Sequence, residues 1–321
     1  MSIPRNFIKI LPALLLLIFA SYSENGCNDQ SGLVAPPTPV KAATAVPAWS
    51  PDGEWIAFIW YGDPGLLPFG LYKIRPDGSD LHRFFTLGDY FLLVDLSWAP
   101  DGDWLAFTTG GWNVYKVKAN GDSLTQLTFT CDSPTCSWSF SDTLIAYNRI
   151  GNDSIGIWLM DTCGNNKEQF IHYGGHLDFG PDDSLFYITF LDWDHLDSSR
   201  MNFMNISDST ERLIYKWAKG KPYTTYYNPD VSPTGDKIVF SIDCQIRTIT
   251  SDGGGPVTLT ANGGHFPSWS PDGMQIVYCE PGYTALDMVL RIMNQDGTNN
   301  HVLLDFGESL PDDSTQKLIE H

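Results

Sequence analysis

Basic residues are scarce in this chain. Its 321 residues include 19 lysines and arginines against 38 aspartates and glutamates, a formal net charge of −19. So acidic a chain lacks the cationic surface that displaces counterions from phosphate, which excludes nucleic acid as a partner. Several catalytic motifs are missing as well. There is no Gly-x-Ser-x-Gly elbow, so a serine hydrolase would have no nucleophile turn. No glycine-rich phosphate loop follows a strand and opens a helix, which removes the usual nucleotide sites. Neither Cys-x-x-Cys nor His-Glu-x-x-His occurs, so the common zinc patterns are absent and no cofactor is expected.

Long hydrophobic runs are also lacking. The apolar stretch Ile10 to Ala20 is short of the roughly 20 residues a membrane-spanning helix takes. It follows Arg5 and Lys9, as a signal-peptide core does, so residues 1–26 read as an export segment that is removed. Two endings remain open. Ser21-Tyr22-Ser23 offers the small residues that signal peptidase reads, and Gly26-Cys27 resembles the end of a lipoprotein box, which would place a lipid anchor on Cys27. Glu24 departs from that box, where leucine is usual. Residues 27–41, rich in Asn, Asp, Ser, Gly and Pro, read as a flexible tether. The expectation is a periplasmic or cell-envelope protein with no transmembrane span in the mature chain.

What the sequence does have is a repeated turn between apolar runs. The copies are Trp49-Ser50-Pro51-Asp52-Gly53, Trp98-Ala99-Pro100-Asp101-Gly102, Trp138-Ser139-Phe140-Ser141-Asp142, Phe179-Gly180-Pro181-Asp182-Asp183, Val231-Ser232-Pro233-Thr234-Gly235 and Trp269-Ser270-Pro271-Asp272-Gly273. Steps between the third positions run from 38 to 52 residues and average 44, the period of a four-stranded propeller blade. Proline presets φ for a type I turn, aspartate bonds its own backbone, and glycine takes the left-handed position that closes the hairpin. After each turn comes a run such as Trp55-Ile56-Ala57-Phe58 or Lys237-Ile238-Val239-Phe240, apolar on both sides of the pleat. Such a strand lies between neighbouring sheets. A third strand (Leu71 to Ile74, Val114 to Val117), a second turn and a more polar fourth strand complete the unit.

These copies resemble the WD-like Pro-Asp-Gly propeller repeats of the TolB family. The resemblance covers residues 42–306 and implies an all-β fold, a six-bladed β-propeller of four-stranded antiparallel blades with the strand before each Pro-Asp-Gly innermost. Residues 307–321 read as a C-terminal tail. The α/β domain that precedes the propeller in TolB has no counterpart of sufficient length before Trp49. Similar repeats also build pectin-fragment lyases, and propeller peptidases carry a hydrolase domain that this sequence does not show.

Six cysteines are present. Cys131 and Cys136 flank an Asp-Ser-Pro-Thr turn, close enough for a local disulfide in an oxidising compartment. Cys244 and Cys279 end second strands of the last two blades and form a candidate cross-blade pair, whereas Cys163 has no evident partner.

Function is expected where the fourth-to-first and second-to-third connections meet around the channel. His176, in Gly174-Gly175-His176, and His265, in Gly263-Gly264-His265, occupy matching places in the repeat. The blade-four loop adds Asp192, Trp193 and Asp194, and the blade-one loop adds Trp60 and Tyr61. Exposed aromatics at a rim suit protein or carbohydrate contact. Imidazoles and carboxylates converging there would suit a metal, with His176 and His265 as ligands. A histidine at this position can equally bond a neighbouring blade's backbone, and the rim aromatics can equally cap the packing. The favoured reading is a non-catalytic propeller that binds a protein or an envelope-associated ligand. A metal-dependent lyase or hydrolase acting on a saccharide is the alternative.

Overall fold

The computed structural model describes residues 46–60, 70–86, 93–109, 112–151, 154–190, 199–217, 228–261, 263–280 and 289–305. All the regular structure in these residues is β. Blade one runs through β1 (Ala48–Trp49), β2 (Ile56–Trp60), β3 (Gly70–Ile74) and β4 (His82–Thr86). Blade two has β5 (Leu93–Trp98), β6 (Trp104–Thr109), β7 (Val114–Lys118) and β8 (Thr125–Gln126). In blade three are β9 (Cys136–Trp138), β10 (Leu144–Arg149), β11 (Gly156–Asp161) and β12 (Glu168–Ile171). Blade four holds β13 (Gly175–Phe179), β14 (Leu185–Phe190), β15 (Ser199–Met204) and β16 (Glu211–Lys216). Next come β17 (Asp230–Val231), β18 (Lys237–Ile242), β19 (Gln245–Thr250) and β20 (Val257–Thr258) of blade five. Blade six ends the series with β21 (His265–Trp269), β22 (Gln275–Glu280), β23 (Val289–Asn294) and β24 (His301–Asp305).

Each sheet uses four consecutive strands in chain order. The first strands β1, β5, β9, β13, β17 and β21 touch one another in turn, and β21 returns to β1. The propeller therefore closes on itself, and blade six packs directly against blade one.

Alternation along the second strands explains why their sequences are apolar on both sides. In β6, Leu105 and Phe107 enter the layer shared with blade one, while Ala106 enters the layer shared with blade three. In β14, Leu185 and Tyr187 face blade three, and Phe186 and Ile188 face blade five. In β22, Val277 and Cys279 face blade one, and Ile276 and Tyr278 face blade five. A period of two with both faces covered produces continuous apolar runs. Each second strand also carries a fully buried aromatic, Phe58, Phe107, Tyr147, Tyr187, Phe240 or Tyr278, and β2 adds Trp60. Burying a side chain of this size contributes roughly 1.5–3 kcal/mol, so the layers between blades hold most of the apolar stabilisation.

The first turns form as the sequence predicts. Gly53 N–H bonds Ser50 O at 2.9 Å and Ser50 N–H bonds Trp55 O at 2.8 Å. Gly102 and Gly235 lie at φ +77° and +73°, in the left-handed region. Blades three and four use aspartate there, Asp142 at φ 57° and Asp183 at 59°. Trp138 Nε1 donates to Asp142 Oδ1 at 2.7 Å, a local bond of the kind that lets aspartate adopt this conformation. Trp49, Trp138 and Trp269 are buried, as structural residues.

Two expectations about cysteine are corrected. Cys131 and Cys136 are both unbridged. Cys136 lies in β9 and points into the apolar layer with Leu127, Ile145 and Tyr147, whereas Cys131 is exposed and accepts a 3.4 Å hydrogen bond from Asn113 Nδ2. The connection is held by an ion pair: Arg149 Nε and Nη2 reach Asp132 Oδ2 at 2.9 and 2.7 Å. Cys244 is disulfide-bonded, but Cys279 remains a buried thiol, so the cross-blade pair does not form.

Gly235 also meets a neighbour. A Cβ added there would lie 3.1 Å from the ring of Pro181 in blade four, whereas one at Gly102 would meet nothing within 4 Å. Gly102→Ala is expected to cost about 1 kcal/mol from backbone strain alone, and Gly235→Ala measurably more. Chemical denaturation of both variants checks this, since equal costs would mean that the proline contact exerts no constraint.

Candidate functional site at the channel

The first strands surround an axial cavity of about 360 Å³. At the turn end its wall includes Pro51, Pro100, Phe140, Pro233 and Pro271, and deeper in it includes Trp49, Trp98, Trp138, Trp269, Asp95, Asp178, Asp230 and His176.

A belt of hydrogen bonds runs around this wall. The residue just before the first position of each motif is Ala48, Ser97, Ser137, Asp178, Asp230 or Ser268. Five of these six accept a backbone N–H from the next blade. Ser97 Oγ takes Trp138 N at 2.9 Å, Ser137 Oγ takes Phe179 N at 3.2 Å, and Asp178 Oδ2 takes Val231 N at 2.8 Å. Asp230 Oδ1 takes Trp269 N at 3.2 Å, and Ser268 Oγ takes Trp49 N at 3.3 Å, which closes the ring. Ala48 has no such oxygen, and there Trp98 Nε1 donates to the Ala48 carbonyl at 3.1 Å instead.

Carboxylates thus stand where other blades use serine. Burial pushes Asp178 up to about 6, against the pull of bonds from Val231 N, the Ser137 hydroxyl and Phe179 N. Asp230 is raised well above the carboxylate range, first by burial and then by the charge of Asp178. Asp95, whose Oδ2 accepts Cys136 N at 3.1 Å, is raised to about 7, mainly by burial. Such groups resist ionisation because the channel wall supplies too little solvation for three like charges.

The histidines do not match as the repeat suggested. His176 is the extra residue of a bulge, where pairing shifts between Gly175 and Leu177, and its φ is 45°. In blade six pairing shifts between His265 and Ser268, and the residue with φ 51° is Phe266. Phe266 therefore takes the place of His176 on the cavity wall, and His265 stands one residue earlier, off the cavity lining. Burial lowers both imidazoles to about 4, so both are neutral near pH 7.

Trp60 is corrected too. It is fully buried in the layer shared by blades six, one and two, because β2 continues to that residue before the loop begins. Tyr61, Asp192, Trp193 and Asp194 lie outside the described residues, as does Cys27. Asp178 and Asp230 were not singled out from the sequence. Aligning the residue before the first position of each motif shows two acids among three serines and an alanine.

No protein-family model matches the chain, and no curated protein is similar to it at a significant level. Solved structures are similar in fold. A putative TolB from Agrobacterium tumefaciens is 22% identical, with 70% of this chain and 84% of that one covered and a TM-score of 0.56. TolB from Acinetobacter baumannii is 13% identical, with 70% and 56% covered and a TM-score of 0.57. An oligogalacturonate lyase from Vibrio parahaemolyticus is 13% identical, with 79% and 78% covered and a TM-score of 0.52. At these identities the likeness establishes the fold: a six-bladed β-propeller like that of TolB.

The channel acids give a pH test. A carboxyl raised in the folded state leaves stability intact below about pH 4 and loses it as pH rises through its folded value. Histidines lowered to about 4 act oppositely, losing stability as pH falls below about 6.5. A variant separates the two. Asp230→Asn keeps an acceptor for Trp269 N and is expected to melt above the parent at pH 8, with the advantage gone at pH 4. An advantage that persists at pH 4 would show that ionisation of Asp230 is not its source.

Proposed function

We propose that the protein is an exported, non-catalytic propeller that binds another protein or a cell-envelope ligand at its channel mouth, on the face of the fourth-to-first and second-to-third connections. The observation that carries this reading is the axial cavity, to which every blade contributes an inner strand. A site shared among blades of a rigid repeat scaffold can vary its loops without cost to the core. The export segment at residues 1–26 and the fold likeness to TolB support the envelope setting, the latter as analogy. Cross-linked recovery from the native envelope is the test. Trp193→Ala and Tyr61→Ala are expected to weaken partner recovery without lowering the melting temperature. Undiminished recovery by both variants would overturn the loop-face assignment.

The second reading, a metal-dependent lyase, draws on the fold likeness to oligogalacturonate lyase and on His176 in the cavity wall. It is weakened by His265, which does not join His176 there. Among the described residues no group of three His, Cys, Asp or Glu side chains is placed to hold a metal ion. Stoichiometric divalent metal in native protein, together with eliminative cleavage of oligogalacturonate, would replace the binding reading with this one.

A further inference from the structure

Blade three breaks the repeat at one exposed position. Where the five other first turns have proline, it has Phe140. The neighbouring blade shows how the change is accommodated. Between blades four and five, Pro181 packs on Gly235, and between blades six and one Pro271 packs on Gly53. Blade four has Asp183 at the glycine position, with φ 59°, and its Oδ1 accepts the Ser141 N–H at 3.0 Å. A hydrogen bond thus replaces the proline contact and releases the side chain before it. Phe140 is left 45% exposed on the cavity wall beside Pro51, Pro100, Pro233 and Pro271.

The turn itself gives no reason for phenylalanine, because proline suits this position better. A large aromatic left in water beside a proline-walled pocket has the character of an interface anchor. The surrounding charge is predominantly negative. Asp52, Asp101, Asp103 and Asp272 are exposed on the same turns, Lys237 is the single basic residue in the six first turns, and Glu54 is paired with Arg75. Bonds from the Ser270 hydroxyl and Met274 N keep Asp272 below the usual carboxylate range, so its charge persists in mild acid. This rim repels anionic lipid and a second copy of the chain alike, and it attracts a cation.

We propose that this turn-face mouth docks a basic segment of a partner protein, with an apolar side chain of that segment seated against Phe140 in the cavity. The proposal goes beyond the loop-face reading and uses the opposite end of the channel.

A fluorescent peptide, Lys-Lys-Gly-Trp-Gly-Lys-Lys, serves as the probe, with serine for tryptophan in the control peptide. Phe140→Pro restores the repeat and is expected to keep or raise the melting temperature while weakening the tryptophan peptide about tenfold, as loss of an anchor does. Phe140→Ser provides the same comparison without the proline. Trp193→Ala and Tyr61→Ala, which test the loop face, should leave peptide binding unchanged, so the two readings fail separately. The proposal is overturned if the tryptophan peptide does not bind at about 1 mM, if it binds no better than the serine peptide, or if both Phe140 variants bind it like the parent. Self-association lost in Phe140→Pro would also overturn it, in favour of a second copy.

Discussion

The closed ring depends on one repeated contact, in which the side chain before the first motif residue accepts a backbone N–H from the following blade. Five junctions make it, from Ser97 with Trp138 to Ser268 with Trp49. Each such bond contributes only about 1 kcal/mol net, but an N–H buried without its partner costs about 1–3 kcal/mol. The larger apolar term comes from the layers between blades. Those layers are non-directional, and the belt supplies the direction: it sets how far each inner strand is displaced relative to the next and leaves a channel of defined width.

The same position links architecture to chemistry. Serine satisfies the N–H with a neutral oxygen and leaves the channel uncharged. Aspartate at 178 and 230 satisfies it equally well but sets two carboxyl groups near one another, with Asp95 adding a third. Stability alone gives no reason to prefer acids where serine already works in three other blades. The channel wall is therefore a place where fold requirements leave residue choice open, and blades four and five use that freedom to make its lining acidic. At the turn end, Asp183 plays a comparable part by freeing Phe140.

Much of this was legible in the sequence because the repeat is one physical unit. The period gave the blades, continuous apolar runs gave second strands covered on both faces, and Pro-Asp-Gly gave left-handed glycines that the structure places at φ +69° to +77°. The failures share a cause, which is that side-chain direction turns on a single residue of register. His265 misses the channel because its blade places the bulge one residue later than the sequence alignment implies. Trp60 is core because β2 extends one turnless residue further, and Cys136 points into the apolar layer because strand parity fixes it there. The channel acids were overlooked for another reason: they do a serine's job and stand out only when the six copies are compared column by column.

Native-state hydrogen exchange at the amides of Trp49, Trp138, Phe179, Val231 and Trp269 tests the belt most directly. If these bonds close the ring cooperatively, all five amides exchange only through global unfolding, with one common free energy equal to that from denaturation. Exchange of one or more of them through separate local openings, at a free energy well below the global value, would contradict the belt as the contact on which ring closure depends.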